Sequence, residues 1–360
     1  MLQNFPPVAQ TIISVAIMLL AGFLLTRLTK LLKLPNVTGY IVAGILIGPQ
    51  VLNVVPQTVI GGMSFLADIA LAFIAFGTGE YFKLSTLKNN GAKNVVITLF
   101  EALIATIVVF LVNYFVLGLG MAFSIVLGAL AAATAPASTL MTIRQTRAKG
   151  DFVDTLLQVV ALDDVVGLIA FSVAIAVAMA TIAGSVSASQ IVLPIVYNLA
   201  ALVVGGGLGW VLKALISNRS DDNRLIIALA VILGFCGLCA LFDVSPLLGC
   251  MAMGTVYRNV ADDDKLFKQL NYFSPPILLL FFVRSGANFK LNALLNTGDS
   301  VAGVNLLVIG VVYFIVRIAA KYLGAWLGCV ATKKSKLVSN YLGLALIPQA
   351  GVAIGLATLA

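Results

Sequence analysis

Two aspartates, Asp163 and Asp164, stand side by side in the otherwise apolar stretch TLLQVVALDDVVGLIAFSVAIAV. A carboxylate binds either a proton or a monovalent cation, and in a poorly hydrated interior the two compete for the same oxygens. Each aspartate near the centre of a membrane-spanning helix costs about 2.5–3.5 kcal/mol, a burden that structure alone seldom requires. Neighbouring helical residues point about 100° apart, so one carboxylate can face a cavity while the other faces an adjacent helix. A second apolar stretch, VVYFIVRIAAKYLGAWLGC, carries Arg317 and Lys321 four residues apart, on one helical face. With cytoplasmic ends near Asp154 and Val330, a rise of about 1.5 Å per residue puts Asp163 and Lys321 both about 13–14 Å from that face, and Arg317 about 6 Å deeper. Lys321 is therefore the expected partner of Asp163 or Asp164, which leaves Arg317 to orient another carbonyl or carboxylate.

Neutral ligands are available nearby in sequence. In GALAAATAPASTLMTIRQ, Pro136 stands amid Thr134, Ser138 and Thr139. Proline lacks the N–H for its own helical bond and its ring disturbs the preceding turn, so carbonyls are released. Pro348 and Gly351 occupy a comparable depth in GLALIPQAGVAIGL, seven apolar segments later. Two broken helices would offer dipole ends and free carbonyls, with the three hydroxyls, to an ion or an ionised group. Glu80 in AFGTGEYF and Glu101 early in the fourth apolar segment are further acids, the first reading as a rim residue. Asp68, Asp243 and Asp262–Asp264 read as interfacial or loop charges, and Asp151 and Asp154 as residues of an entrance.

The elements that must hold these groups are set by composition. The 360 residues are 61% hydrophobic and only 10% charged, with a mean hydropathy of +1.09, which excludes a soluble domain and places the chain in lipid. Apolar runs of adequate length lie at 8–26, 36–55, 59–80, 92–116, 121–143, 154–180, 190–216, 223–240, 244–257, 266–287, 303–329 and 337–360, twelve in all. The connections after odd-numbered segments hold 18 of the 22 Lys and Arg residues, whereas those after even-numbered segments hold only Arg284 and Lys290. The positive-inside rule puts the odd connections in the cytoplasm and the amino terminus outside, in a multi-pass plasma (inner) membrane protein. The net charge of +8 is thus a topology signal and not a nucleic-acid surface. Cys236, Cys239, Cys250 and Cys329 lie in or beside apolar segments, where packing is the ordinary role, and no histidine exists to complete a metal site. Without histidine, any pH response must use carboxylates, lysine or the amino terminus.

These features fit an all-α membrane protein, an inverted-repeat transporter with crossed discontinuous helices, in which segments five and twelve are equivalent members. The segments LPNVTGYIVAGILIGP, AFIAFGTGEYF, ATAPAST, ALDD, DVSPLLGCMAMG, PPILLLFFVRSGANF and RIAAKYLG resemble the cation/proton antiporter superfamily, on its second, bacterial branch of sodium/proton and potassium/proton exchangers. That resemblance runs through nearly the whole chain. It implies thirteen helices, the last beyond the apolar end at Ala360, and a homodimer. It divides the chain into a scaffold (1–80, and 190–287 with a linker helix) and a mobile core (81–180 and 303–360). It makes Asp164 the acid that binds the ion, Asp163 its neighbour, Lys321 the base that pairs with them, and Thr134 part of the crossover. Relatives with two aspartates here are usually electrogenic. IPQAG in segment twelve departs from many relatives.

The expected activity is antiport of sodium, ahead of potassium, against protons by alternating access, with no cofactor and no enzymatic chemistry. On this reading an entering cation frees Lys321 to release a second proton. A sodium-coupled organic-anion symporter of related fold is the alternative, and an ion channel a more distant one. The topology has its own test: cysteines introduced near Lys88, Arg147 and Lys334 react with impermeant reagents from the cytoplasm, and labelling at Arg147 from outside would overturn the helix count.

Overall fold

The computed structural model describes residues 5–32, 34–134, 138–139, 142–143, 146–183, 188–242, 244–261, 264–289 and 300–349. Nearly all are helical, because the apolar runs leave backbone groups that lipid cannot satisfy and a helix satisfies them internally. The helices are α1 (Pro7–Leu31), α2 (Asn36–Ile47), α3 (Gln57–Gly62), α4 (Phe65–Thr78), α5 (Leu84–Leu111), α6 (Met121–Ala132) and α7 (Asp151–Ala183). They continue as α8 (Ala188–Ile216), α9 (Asp221–Leu241), α10 (Leu247–Ala261), α11 (Lys265–Phe273), α12 (Pro275–Ala287), α13 (Leu306–Ala331) and α14 (Lys336–Ala345). A two-stranded hairpin, Ser300–Val301 with Val304–Asn305, leads into α13, and Asn305 caps that helix by accepting from Leu307 N at 2.8 Å.

Among the described residues six helices are long and apolar enough to cross a membrane, namely α1, α5, α7, α8, α9 and α13, and the pair α11–α12, bent by 46°, makes a seventh candidate. The other apolar segments are shorter or interrupted. α2 stops at Ile47, before Gly48 and Pro49; the run at 59–80 is divided between α3 and α4; and α6 ends at Ala132, where the backbone of Ala133 turns extended. Proline explains the bend between α11 and α12, since Pro275 and Pro276 open a new helix and cannot continue the old one. Large apolar side chains face outward along α1, among them Val8, Ile12, Leu20 and Phe23, as a surface solvated by lipid requires.

Packing gathers α5, α6, α7, α13 and α14 on one side, and α1, α2, α4 and α8 to α12 on the other. Small residues set the closest crossings, as expected where lipid removes the hydrophobic drive between helices and van der Waals fit must replace it. A Cβ on Gly44 of α2 would lie 1.9 Å from Val283 O of α12, and one on Gly286 of α12 would lie 2.1 Å from Ile41 O of α2. The two backbones therefore touch directly. Gly44→Ala is expected to destabilise the protein by about 1–3 kcal/mol, seen as a lower melting temperature in detergent. Gly61→Ala, which would meet nothing within 4 Å, should leave the melting temperature close to that of the parent.

Candidate ion-exchange site

The carboxyl end of α6 lies inside the protein, and the backbone turns extended at Ala133, whose N–H donates to Leu130 O at 3.3 Å. The last carbonyls of any helix need outside partners, and here four in a row find them on side chains. Gln349 Nε2 donates to Leu130 O at 2.7 Å, Arg317 Nε to Ala131 O at 3.2 Å, and Arg317 NH2 to Ala133 O at 2.7 Å. Lys321 Nζ donates to Ala132 O. Arg317 NH1 also donates to Ile347 O at 2.7 Å, just past the end of α14. One guanidinium thus ties the two helix ends together, and cations at carbonyl ends are favoured by the helix dipole as well.

Lys321 and Arg317 are wholly buried, with at most 1% of their surface exposed, so their charges need anions close by. Lys321 Nζ lies 2.7 Å from Asp163 Oδ2 and 2.7 Å from Glu101 Oε2, and both acids are fully buried. Thr134 Oγ1 accepts from Lys321 Nζ at 2.7 Å and donates to Asp163 Oδ2. Four acceptors therefore surround an ammonium that has three N–H donors. The other oxygens of the acids, Asp163 Oδ1 and Glu101 Oε1, are buried without a hydrogen-bond partner among the described residues. Each can take a proton or help to hold a cation.

The geometry depends on α13 lying close against α5. Gly324 permits it, because a Cβ there would come within 2.6 Å of Glu101 Cα and 2.8 Å of Phe100 O. Beside the charges is a neutral polar tier, in which buried Asn94 Nδ2 of α5 donates to Gln158 Oε1 of α7 at 2.5 Å. Lys334 Nζ, in the turn between α13 and α14, donates to Thr155 Oγ1 of α7 at 2.9 Å.

Of the residues expected from sequence, the structure brings Asp163, Lys321 and Thr134 into mutual contact, as the matched depths predict for the pair. Arg317 orients carbonyls. Asp164 belongs to α7, but its side chain, like Pro136, lies outside the described residues. Ser138 and Thr139 are buried beyond the break, and Ser138 O accepts from Thr142 Oγ1 at 2.9 Å in its own turn. Glu80 sits half-buried in the turn after α4, Asp68 is exposed, and Asp151 and Asp154 are exposed at the start of α7. Asp264 pairs with exposed Lys268 at 2.8 Å. Asp243, Asp262 and Asp263 lie outside the described residues. The four cysteines are buried and free.

Glu101 is the residue whose importance sequence reasoning missed, and the signal was present. Lys93 marks the cytoplasmic end of its segment, and eight residues at about 1.5 Å each put Glu101 about 12 Å deep, level with Asp163 and Lys321. The depth comparison applied to α7 and α13 extends to α5 without change.

A buried set of acids and bases between helix ends, in a helical membrane protein, is able to bind protons and cations. The family model described as sodium/hydrogen exchanger, transmembrane, matches residues 15–360, so the chain belongs to the sodium/hydrogen exchanger family, one of transporters and not of enzymes. Two solved structures of the sodium proton antiporter MjNhaP1 from Methanocaldococcus jannaschii share the fold. One, at pH 8, is 22% identical, with 98% of this chain and 86% of that chain covered and a TM-score of 0.76. The other, from electron microscopy, is 23% identical, covering 99% and 85%, with a TM-score of 0.79. No curated protein matches the chain in sequence. Family and fold together support cation/proton antiport.

Proposed function

We propose that the chain exchanges sodium, ahead of potassium, for protons at an acidic site formed by Asp163 and Asp164. The observation that carries this reading is the state of Asp163: fully buried, bound to Lys321 and Thr134 through one oxygen, with the other oxygen unpartnered among the described residues. Such a carboxylate binds a proton or a cation, each displacing the other, and this linkage couples opposite fluxes without ATP. Asp164, next along α7, is the principal ion-binding acid by the family resemblance, with Thr134, Ser138 and Thr139 supplying neutral oxygens. Sodium is preferred because the family description and the named fold neighbours both concern sodium exchange.

Alternating access then moves one helix group against the other. The group holding the site (α5, α6, α7, α13 and α14) is the mobile core, corresponding to 81–180 and 303–360. The group of α1 to α4 and α8 to α12 is the scaffold (1–80 and 190–287), through which two copies form a homodimer in the plasma membrane with the amino terminus outside. Crossed discontinuous helices, within an inverted repeat of thirteen, give the core two helix breaks at the site. Two protons leaving for one cation make the exchange electrogenic.

Replacing Asp164 with asparagine removes the charge for which proton and cation compete. In liposomes, sodium-driven proton flux should fall to the background of empty vesicles, while the purified variant stays monodisperse and inserts normally. Near-normal coupled flux in Asp164→Asn would sink the assignment.

A further inference from the structure

Lys321 has two carboxylate partners. Glu101 Oε2 and Asp163 Oδ2 each lie 2.7 Å from its Nζ, and all three side chains are removed from solvent. One ammonium cannot neutralise two carboxylates. The nearest other cation, Arg317, spends its donors on the carbonyls of Ala131, Ala133 and Ile347, and it keeps its charge whatever the site holds. One acid can thus stay ionised beside the lysine while the other changes its load.

The surroundings of the two acids differ. Asp163 is joined by the Thr134 hydroxyl and is followed directly by Asp164, so it lies where the transported cation is expected. Glu101 comes from a different helix, α5, and its Oε1 has no hydrogen-bond partner among the described residues. We propose that Glu101 is the resident counter-ion of Lys321, a positioning residue that keeps the lysine charged throughout the cycle and leaves Asp163 free to exchange its proton. This deepens the antiport reading and rests on it.

The charges then balance without a proton from lysine. In the proton-loaded state Lys321 and Glu101 cancel and both aspartates are neutral acids. In the cation-loaded state both aspartates are ionised around one monovalent cation, and Lys321 and Glu101 still cancel. Two protons have left for one cation, and one net charge has moved. If Lys321 released the second proton instead, Glu101 would remain as a buried ionised group without its ion-pair partner, which is strongly unfavourable.

The test is the proton-to-sodium ratio, read from the reversal potential of exchange in liposomes under a clamped membrane voltage. The parent protein is expected to exchange two protons per sodium. Glu101→Gln leaves Asp163 as the lone counter-ion of Lys321, so Asp163 stays ionised and the ratio falls to one, with a reversal point that no longer depends on voltage. Glu101→Asp restores a ratio of two. In Lys321→Gln, Glu101 holds a proton permanently and the ratio stays at two. A purely structural role for Glu101 would change the amount of folded protein or the rate and leave the ratio alone. A ratio of two in Glu101→Gln, or of one in Lys321→Gln, overturns the inference. So does a ratio of one in the parent, although antiport itself then stands. An absence of any sodium–proton exchange in the parent overturns the antiport reading beneath it. If Glu101→Gln fails to fold, the ratios of Glu101→Asp and Lys321→Gln decide.

Discussion

The buried end of α6 is the constraint on which the rest of the site depends. Its carbonyls from Leu130 to Ala133 lie at the end of a helix inside the protein, and side chains from elsewhere reach all four. Neutral donors could serve, as Gln349 does for Leu130. The other three carbonyls take cations from α13 instead. Two full positive charges are thereby buried at the middle of the protein, and buried charge demands opposite charge. Asp163 and Glu101 answer that demand from two different helices. The break in α6 is thus met by cations, the buried cations call for acids, and on the reading proposed above the acids are what a proton or a sodium ion binds.

This chain of requirements also explains the helix packing. Lys321 can meet Glu101 only if α13 and α5 approach until their backbones nearly touch, and Gly324 is where they do so. The contact between α5 and α13 is accordingly among the most extensive in the structure, and α6 and α7 close over it. A group of helices welded together by an internal ionic cluster moves more readily as one body than as separate parts. Alternating access by a rigid core, as proposed above, makes use of that property.

Much of this was legible in the sequence, for physical reasons that differ from residue to residue. Charges in apolar segments are costly enough to stand out, so Asp163 and Lys321 could be found, and a constant rise per residue was enough to set them at one depth. Pro136 marks an expected interruption in segment five, and α6 ends at Ala132, four residues before it. Glu101 stands in the sequence only as a further acid, with no place in the site, until its depth is compared with that of the base. The capping of Leu130 to Ala133 was beyond reach, since it depends on which way each side chain of α13 and Gln349 points. The second apolar run extends past the end of α2 at Ile47, where hydrophobic sequence continues beyond a structural break. Hydropathy measures burial in lipid and carries no record of where the backbone turns.

The central claim is that protons and the transported cation compete for buried carboxylates while Lys321 stays charged. Infrared difference spectra of the purified protein in lipid, recorded as sodium is added at constant pH, test it most directly. The account predicts that bands of protonated carboxylic acids disappear and carboxylate bands grow in their place, with both changes reduced in Asp163→Asn. Carboxyl bands that stay constant while sodium binding releases protons would contradict it, because the protons would then come from a group other than these acids.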